Sequence, residues 1–374
     1  MGLSFLTKEG LMAFYQHPGR LSRRFRLVLS SFMQSEGLAF ADALSEEKIQ
    51  QAFDEEGANF AQDEDAVYTP ALTLWGFLSQ VLFKEEQRSC AAAVARVVVL
   101  LITLGQRPPS ADTGAYCRAR AKLSEKVIRR LTCEVADGCE QAVPSRWLWN
   151  GRHVSLVDGS TVFMPDTKFM PDTKKNQEAY PRHVAQKEGL GFPIARVVVM
   201  LSLATAMVGD MAIGPYQGKE TGETALFREL LDRLAEGDIV MADRYYCSYF
   251  MVCLLKERGV DFVVRLHQLR TADFRRGRRL GKGDHVVVWT RPQRPTWMDA
   301  ETYQRMPKSI EVREIEVRVD QPGFRVESMV VVTTLVDAKQ YTKDDLAELY
   351  HKRWLVEVYQ PECTSSARLY QLAA

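Results

Sequence analysis

The sequence contains no C-x-x-C pair, no long apolar run and almost no net charge, and each absence removes a class of protein. Its seven cysteines (Cys90, Cys117, Cys133, Cys139, Cys247, Cys253 and Cys363) are odd in number and unpaired in spacing. That pattern excludes a structural zinc site and a secreted disulfide framework, and it fits reduced thiols in a cytosolic protein. The opening Met-Gly-Leu-Ser-Phe-Leu is too short an apolar run for a signal peptide. Val97–Leu104 is apolar, but Arg96 and Arg107 bracket a span too short to cross a membrane. A formal charge of +1 neither requires nor excludes a polyanionic partner, because the distribution of charge decides that. What remains is an ordinary globular composition over 374 residues, enough for a full core and two or three structural units.

Charge is distributed unevenly. Glu36 to Asp65 holds ten acidic residues against Lys48 alone, which reads as a solvated helical surface or a partner site. Residues 71–104 read as apolar helix, broken by Arg107-Pro108-Pro109. The following stretch carries Arg118, Arg120, Lys122, Lys126, Arg129 and Arg130, either an exposed helix face or a DNA contact.

The texture changes at Arg152. Val154–Val162, Ala195–Ala204 and Met207–Tyr216 predict strands. Thr221 reads as the cap of a helix over Gly222–Leu234, followed by a buried strand Ile239–Asp243, a helix Ser248–Arg258 and a strand Asp261–Leu266. This order predicts a mixed α/β layer with one parallel half. Short alternating strands at His285–Trp289, Ile310–Val319 and Arg325–Thr334 then predict a β-rich insertion over 267–340. Arg265 to Arg294 holds nine Arg or Lys, densest at Arg275, Arg276, Arg278 and Arg279, with Phe274, Trp289 and Trp297 nearby. Basic residues interleaved with aromatics suit phosphate backbones and unstacked bases. A perfect tandem copy, Phe163–Lys168 followed by Phe169–Lys174, reads as a small loop duplication after the first strand.

Three acids stand out. Asp158 lies in the first strand, Asp243 ends a buried one, and Glu357 shares a helix face with Tyr350 and Arg353 at relative positions 7, 0 and 3. Asp158-Gly159 is also a good turn dipeptide, and Glu357 could be an ordinary helix residue paired with Arg353. Together, three carboxylates could hold two divalent metals about 3.5–4 Å apart for phosphoryl transfer on nucleic acid. Arg353 and Tyr350, like Arg244 and Tyr245 beside Asp243, could then bind the phosphate backbone.

With the strings VDGST, NQEAYP, IGPY, TGETALFRELLDRL and ADRYYCSYF, these acids resemble the catalytic core of DDE-type insertion-sequence transposases of the Y-x2-R-x3-E-x6-K group. The likeness covers roughly residues 70–359. It implies an RNase H-like mixed sheet with flanking helices, split over 151–266 and 341–359 by the insertion. A helical DNA-binding region over 1–150 precedes it. It implies Asp158, Asp243 and Glu357 as ligands of two Mg²⁺ ions, for which Mn²⁺ can substitute. It also implies cleavage at mobile-element terminal repeats, strand transfer into target DNA, a homodimer, and a cytoplasmic, nucleoid-associated location away from membranes. Tyr350, Arg353 and Arg244 would contact DNA, and Trp289 or Trp297 would stack on an extruded base.

The sequence departs from that pattern at its end. Thr364 stands where the signature has Lys, and Pro361 would break a helix running from Thr342, capped with Asp345, near Tyr359 or Gln360. The tail 360–374 therefore reads as truncated or altered. This leaves open a DNA-binding but catalytically impaired product, and a host RNase H-like nuclease is a further alternative.

Overall fold

A computed structural model describes residues 44–63, 66–82, 88–103, 108–164, 173–183, 192–318 and 328–353. The described residues up to Ala142 form one compact unit and those from Val143 a second.

The first unit is helical: α1 (Glu46–Glu55), α2 (Pro70–Leu82), α3 (Cys90–Thr103), α4 (Gly114–Arg120) and α5 (Glu125–Gln141). The acidic stretch becomes α1, capped by Ser45 through the Lys48 backbone N–H at 3.2 Å. Its apolar face buries Ile49, Ala52 and Phe53, and its acids stay on the other side. The expected single helix over 71–104 is two helices. Ser89 restarts the chain, its hydroxyl accepting from the Ala92 N–H at 3.1 Å, as a cap residue does. The basic stretch is not one exposed face either. Arg120 is buried, with Gln80 Oε1 at 3.5 Å and Cys90 Sγ at 3.7 Å, and Arg130 pairs with Glu55, Glu56 and Glu134.

The second unit is built on a nine-stranded sheet. Its elements are β1 (Val154–Phe163), α6 (Lys174–Ala179), β2 (Ile194–Ser202), β3 (Val208–Pro215), α7 (Glu223–Arg228), β4 (Ile239–Ala242), α8 (Tyr249–Glu257), β5 (Asp261–Arg265), β6 (Arg278–Gly281), β7 (Asp284–Thr290), α9 (Ala300–Arg305), β8 (Ser309–Arg318), β9 (Ser328–Thr333) and α10 (Lys343–His351). The strand order is β3-β2-β1-β4-β5-β9-β8-β7-β6. The first three strands pair antiparallel, while β1, β4 and β5 run parallel, which is the RNase H-like arrangement. The insertion does not fold apart from this layer. Strand β9 pairs antiparallel with β5, so β6–β9 extend the same sheet.

Both faces are covered, which is why the central strands are continuously apolar. All of β4 is buried. Val240 and Ala242 face a core shared with α7 and α8, while Ile239 and Met241 face one shared with α10. The helix expected over Gly222–Leu234 is shorter: α7 ends at Arg228 and a 3₁₀ turn follows at Leu231–Arg233. Thr221 does not cap it. Gly222 occupies the cap position, and Thr221 instead accepts from Arg196 through its carbonyl.

Helix α10 docks through Leu346, Leu349 and Tyr350, all buried. Its start carries the anticipated capping box, with Thr342 and Asp345 each bonding the other's backbone. Thr342→Ala should therefore cost about 1 kcal/mol of stability, read as a lowered urea midpoint with unchanged slope. The described helix ends at His351. Glu357, Pro361, Thr364 and the tail lie outside the described residues, as does most of the tandem copy.

Candidate active site

The parallel register of β1 against β4 creates the site. Val157 lies opposite Ala242, so the next residue on each strand, Asp158 and Asp243, brings a carboxyl to the same end of the sheet. Both are half-buried. The Asp243 carboxylate accepts the Tyr245 N–H at 2.7 Å and starts the 3₁₀ turn Arg244–Tyr246. That turn leaves Arg244 and Tyr245 exposed beside the acids and buries Tyr246 completely.

A third acid lies close by, one the sequence pattern did not single out. Glu223 opens α7 and lays its carboxyl over Gly159. A Cβ at Gly159 would come 2.4 Å from the Glu223 carboxyl carbon. Glu223 is half-buried, and its carboxyl is pushed above the usual range, first by burial and then by Asp158 and Asp243, against the pull of Arg196. The Tyr246 phenol, wholly buried, is raised well above its ordinary value by burial and by Glu223, Asp158 and Asp243 together. Its hydroxyl has no hydrogen-bond partner among the described residues. The detectable signal was the glycine after Asp158, which lets a side chain from another element close onto the strand. Gly159→Ala should displace Glu223 and cost about 1 kcal/mol, the low end for overpacking because the obstructing carboxyl is the end of a flexible side chain. Combining it with Glu223→Ala should cancel that cost, measurable as a double-mutant cycle in urea.

The other expected residues fall in three places. Arg275, Arg276, Arg278 and Arg279 are exposed on the turn and strand β6 at the sheet edge, and Arg275 and Arg276 both pair with Asp273. Gly277, at φ +77°, turns the chain there, where a Cβ would meet the Val286 carbonyl oxygen at 2.2 Å. Trp289 is buried, its indole N–H donating to Glu314 at 3.3 Å and Arg270 lying over its ring. Trp297 is half-buried under Arg228, 3.9 Å from the ring centre. In this structure Trp289 is therefore packed as core and does not present an open face for a base.

Tyr350, expected at the phosphate backbone, is core as well. It is 2% exposed, and its hydroxyl donates to the Ala242 carbonyl at 3.3 Å. Burial is the first cause of its rise to about 12. Its role is to fasten α10 to the end of β4, beside Asp243. Arg353, half-buried, follows one turn later.

The Transposase DDE domain family matches residues 149–368, more than half of the chain and all of the described site. The chain belongs to that family. Transposase InsG for insertion sequence element IS4, from Escherichia coli (strain K12), is 24% identical over 256 residues, covering 68% of this chain and 53% of the relative. The chain thus spans about half the length of that curated relative. A solved piggyBac transposase synaptic complex with hairpin DNA aligns over 93% of this chain and 72% of that one, at 11% identity and a TM-score of 0.42. Domains of this family generally use divalent metals. Among the described residues no three His, Cys, Asp or Glu side chains are arranged as a metal cage, and no helix is long and apolar enough to cross a membrane.

Proposed function

We propose that this chain is a DNA transposase that cleaves mobile-element ends and transfers the freed strand into target DNA, using Asp158, Asp243 and Glu357 to hold divalent cations. The observation that carries the reading is the β1–β4 register, which sets Asp158 and Asp243 side by side at one sheet end. The donor set suits Mg²⁺ or Mn²⁺, hard cations that take carboxylate oxygens and retain waters. A wholly buried Tyr246 hydroxyl without a partner among the described residues supports the same fit. When bound, such ions polarise the phosphate and favour ionisation of the attacking water or 3′-hydroxyl.

The chain's own residues do the rest. Asp243 is held in place by the Tyr245 N–H. Arg244 and Tyr245 are exposed next to it and bind the backbone of the strand being cut, with Arg353, just past the end of α10, as a further contact. Arg275, Arg276, Arg278 and Arg279 supply a charged edge for DNA flanking the cleavage point. The same charges also guard an edge strand against pairing with another sheet. Action on paired ends by a homodimer belongs to this reading.

The test is an end-labelled fragment bearing the element's terminal repeats, incubated with protein and Mg²⁺. Nicking at the repeat boundary, abolished by EDTA, is expected. Binding of the fragment without cleavage in Mg²⁺ or Mn²⁺ would replace this reading with that of a non-catalytic DNA-binding protein.

A further inference from the structure

We propose that Glu223, with the Tyr246 hydroxyl, forms an outer shell of the cation site, holding the water shell of an ion bound by Asp158 and Asp243. The inference rests on the reading of those two aspartates as cation ligands.

Three observations carry it. Glu223 reaches the aspartate pair over a glycine, the one residue type that leaves room for its carboxyl at that point of β1. Among the described residues no ion pair explains its position there. Arg196 lies close enough to attract it, but donates its Nη1 hydrogen bond to the Thr221 carbonyl at 2.8 Å, while its buried Nε has no partner among the described residues. Independently, Tyr246 buries a hydroxyl with no partner among the described residues, and the carboxylates of Glu223, Asp158 and Asp243 act on it electrostatically. A buried, unpaired hydroxyl costs roughly 1–3 kcal/mol, so it marks a place where a polar species belongs.

The arrangement favours an indirect role. Mg²⁺ dehydrates reluctantly and is commonly held by one or two carboxylates with several waters retained. Two aspartates side by side supply the carboxylates. A further carboxylate and a phenol one layer out can accept from and orient those waters, as outer-shell groups do at other metal sites. Glu223 and Tyr246 are thus positioning residues, acting on the ion through water and on the phosphate only through the ion. The arrangement also accounts for a third acid half-buried beside two others, because a divalent cation bound there would neutralise the crowding.

The experiment measures Mn²⁺ affinity of the full chain by electron paramagnetic resonance, together with thermal unfolding without metal. Wild type, Asp158→Asn, Glu223→Gln, Tyr246→Phe and the surface variant Asp232→Asn are compared. Glu223→Gln should weaken Mn²⁺ binding by about tenfold or more, while melting at or above the wild-type temperature without metal. Tyr246→Phe should weaken binding less and also keep its stability, since the hydroxyl it removes has no partner among the described residues. Asp232→Asn should match wild type. A merely structural Glu223 would lower the melting temperature and leave affinity alone. If Asp158→Asn loses binding while Glu223→Gln stays within about twofold of wild type, the inference is overturned and the aspartate site stands. If wild type binds Mn²⁺ no better than Asp158→Asn, the aspartate reading itself fails and the inference with it. Should Glu223→Gln not fold, Tyr246→Phe decides, and wild-type affinity in that variant overturns the proposal.

Discussion

Asp243→Asn is expected to abolish Mg²⁺-dependent nicking while leaving the fold and DNA binding intact. The change removes one formal charge from the sheet end and keeps the side-chain oxygen that accepts the Tyr245 N–H at 2.7 Å. The 3₁₀ turn carrying Arg244 and Tyr245 therefore survives, and with it the phosphate contacts proposed for them. A cation held as proposed would lose one of its two described carboxylates. Metal polarisation of the phosphate is worth several kcal/mol, and each 1.36 kcal/mol is a decade, so cleavage should fall on the order of 10³-fold or more. Asp243→Ala should lose cleavage equally and lose the turn cap as well, lowering stability by about 1 kcal/mol. Single-turnover nicking of an end fragment, alongside gel-shift affinity, separates the two effects. Nicking within a few-fold of wild type in the Asn variant would remove Asp243 from the chemistry.

The second large effect is on stability, at a site distant from the carboxylates. Arg313 on β8 is wholly buried and grips Asp284 of β7 with two bonds, at 2.8 and 2.6 Å. Its Nη1 also donates to the Tyr341 carbonyl at 2.7 Å. That carbonyl immediately precedes the capping box of α10, so one guanidinium ties the insertion strands to the base of the helix that fastens to the end of β4. Arg313→Met should cost about 3–5 kcal/mol, because Asp284 is left buried without its counter-charge. Most of the loss is the stranded carboxylate rather than the bond itself. The double variant Asp284→Leu with Arg313→Met should accordingly recover much of it, as buried pairs replaced by apolar residues often do. Denaturant unfolding of the two single variants and the double variant tests this. A double variant as unstable as Arg313→Met alone would show that the backbone bond to Tyr341 matters more than the ion pair.

The sequence made the layer legible because its signals are local. Ile239–Ala242 is apolar throughout, and only a strand covered on both faces uses such a run. Thr342 and Asp345 define a helix start by the spacing of two side chains. Asp158 and Asp243 are identifiable as a pair because one lies within an apolar strand, the other ends one, and the topology expected of the family makes those strands neighbours. Tyr350 shows where local reading stops. Its spacing with Arg353 puts both on one helix face, but the spacing cannot say whether that face meets DNA or β4. The packing of Leu346 and Leu349 onto the sheet decides that it meets β4. The same limit applies to Trp289. A tryptophan among arginines suits either stacking on a base or a buried indole, and Glu314, supplied by the neighbouring strand β8, made it the latter.

The amino-acid order by itself determined the family, the parallel strand pair and its two aspartates, since those rest on patterns within a few residues. The tertiary structure alone decided that Glu223 stands beside them. Helix α6 and strands β2 and β3 separate it from Asp158 along the chain, and its approach depends on Gly159 lacking a side chain. A carboxylate's neighbours are set by packing between elements, and no periodicity along one chain records them.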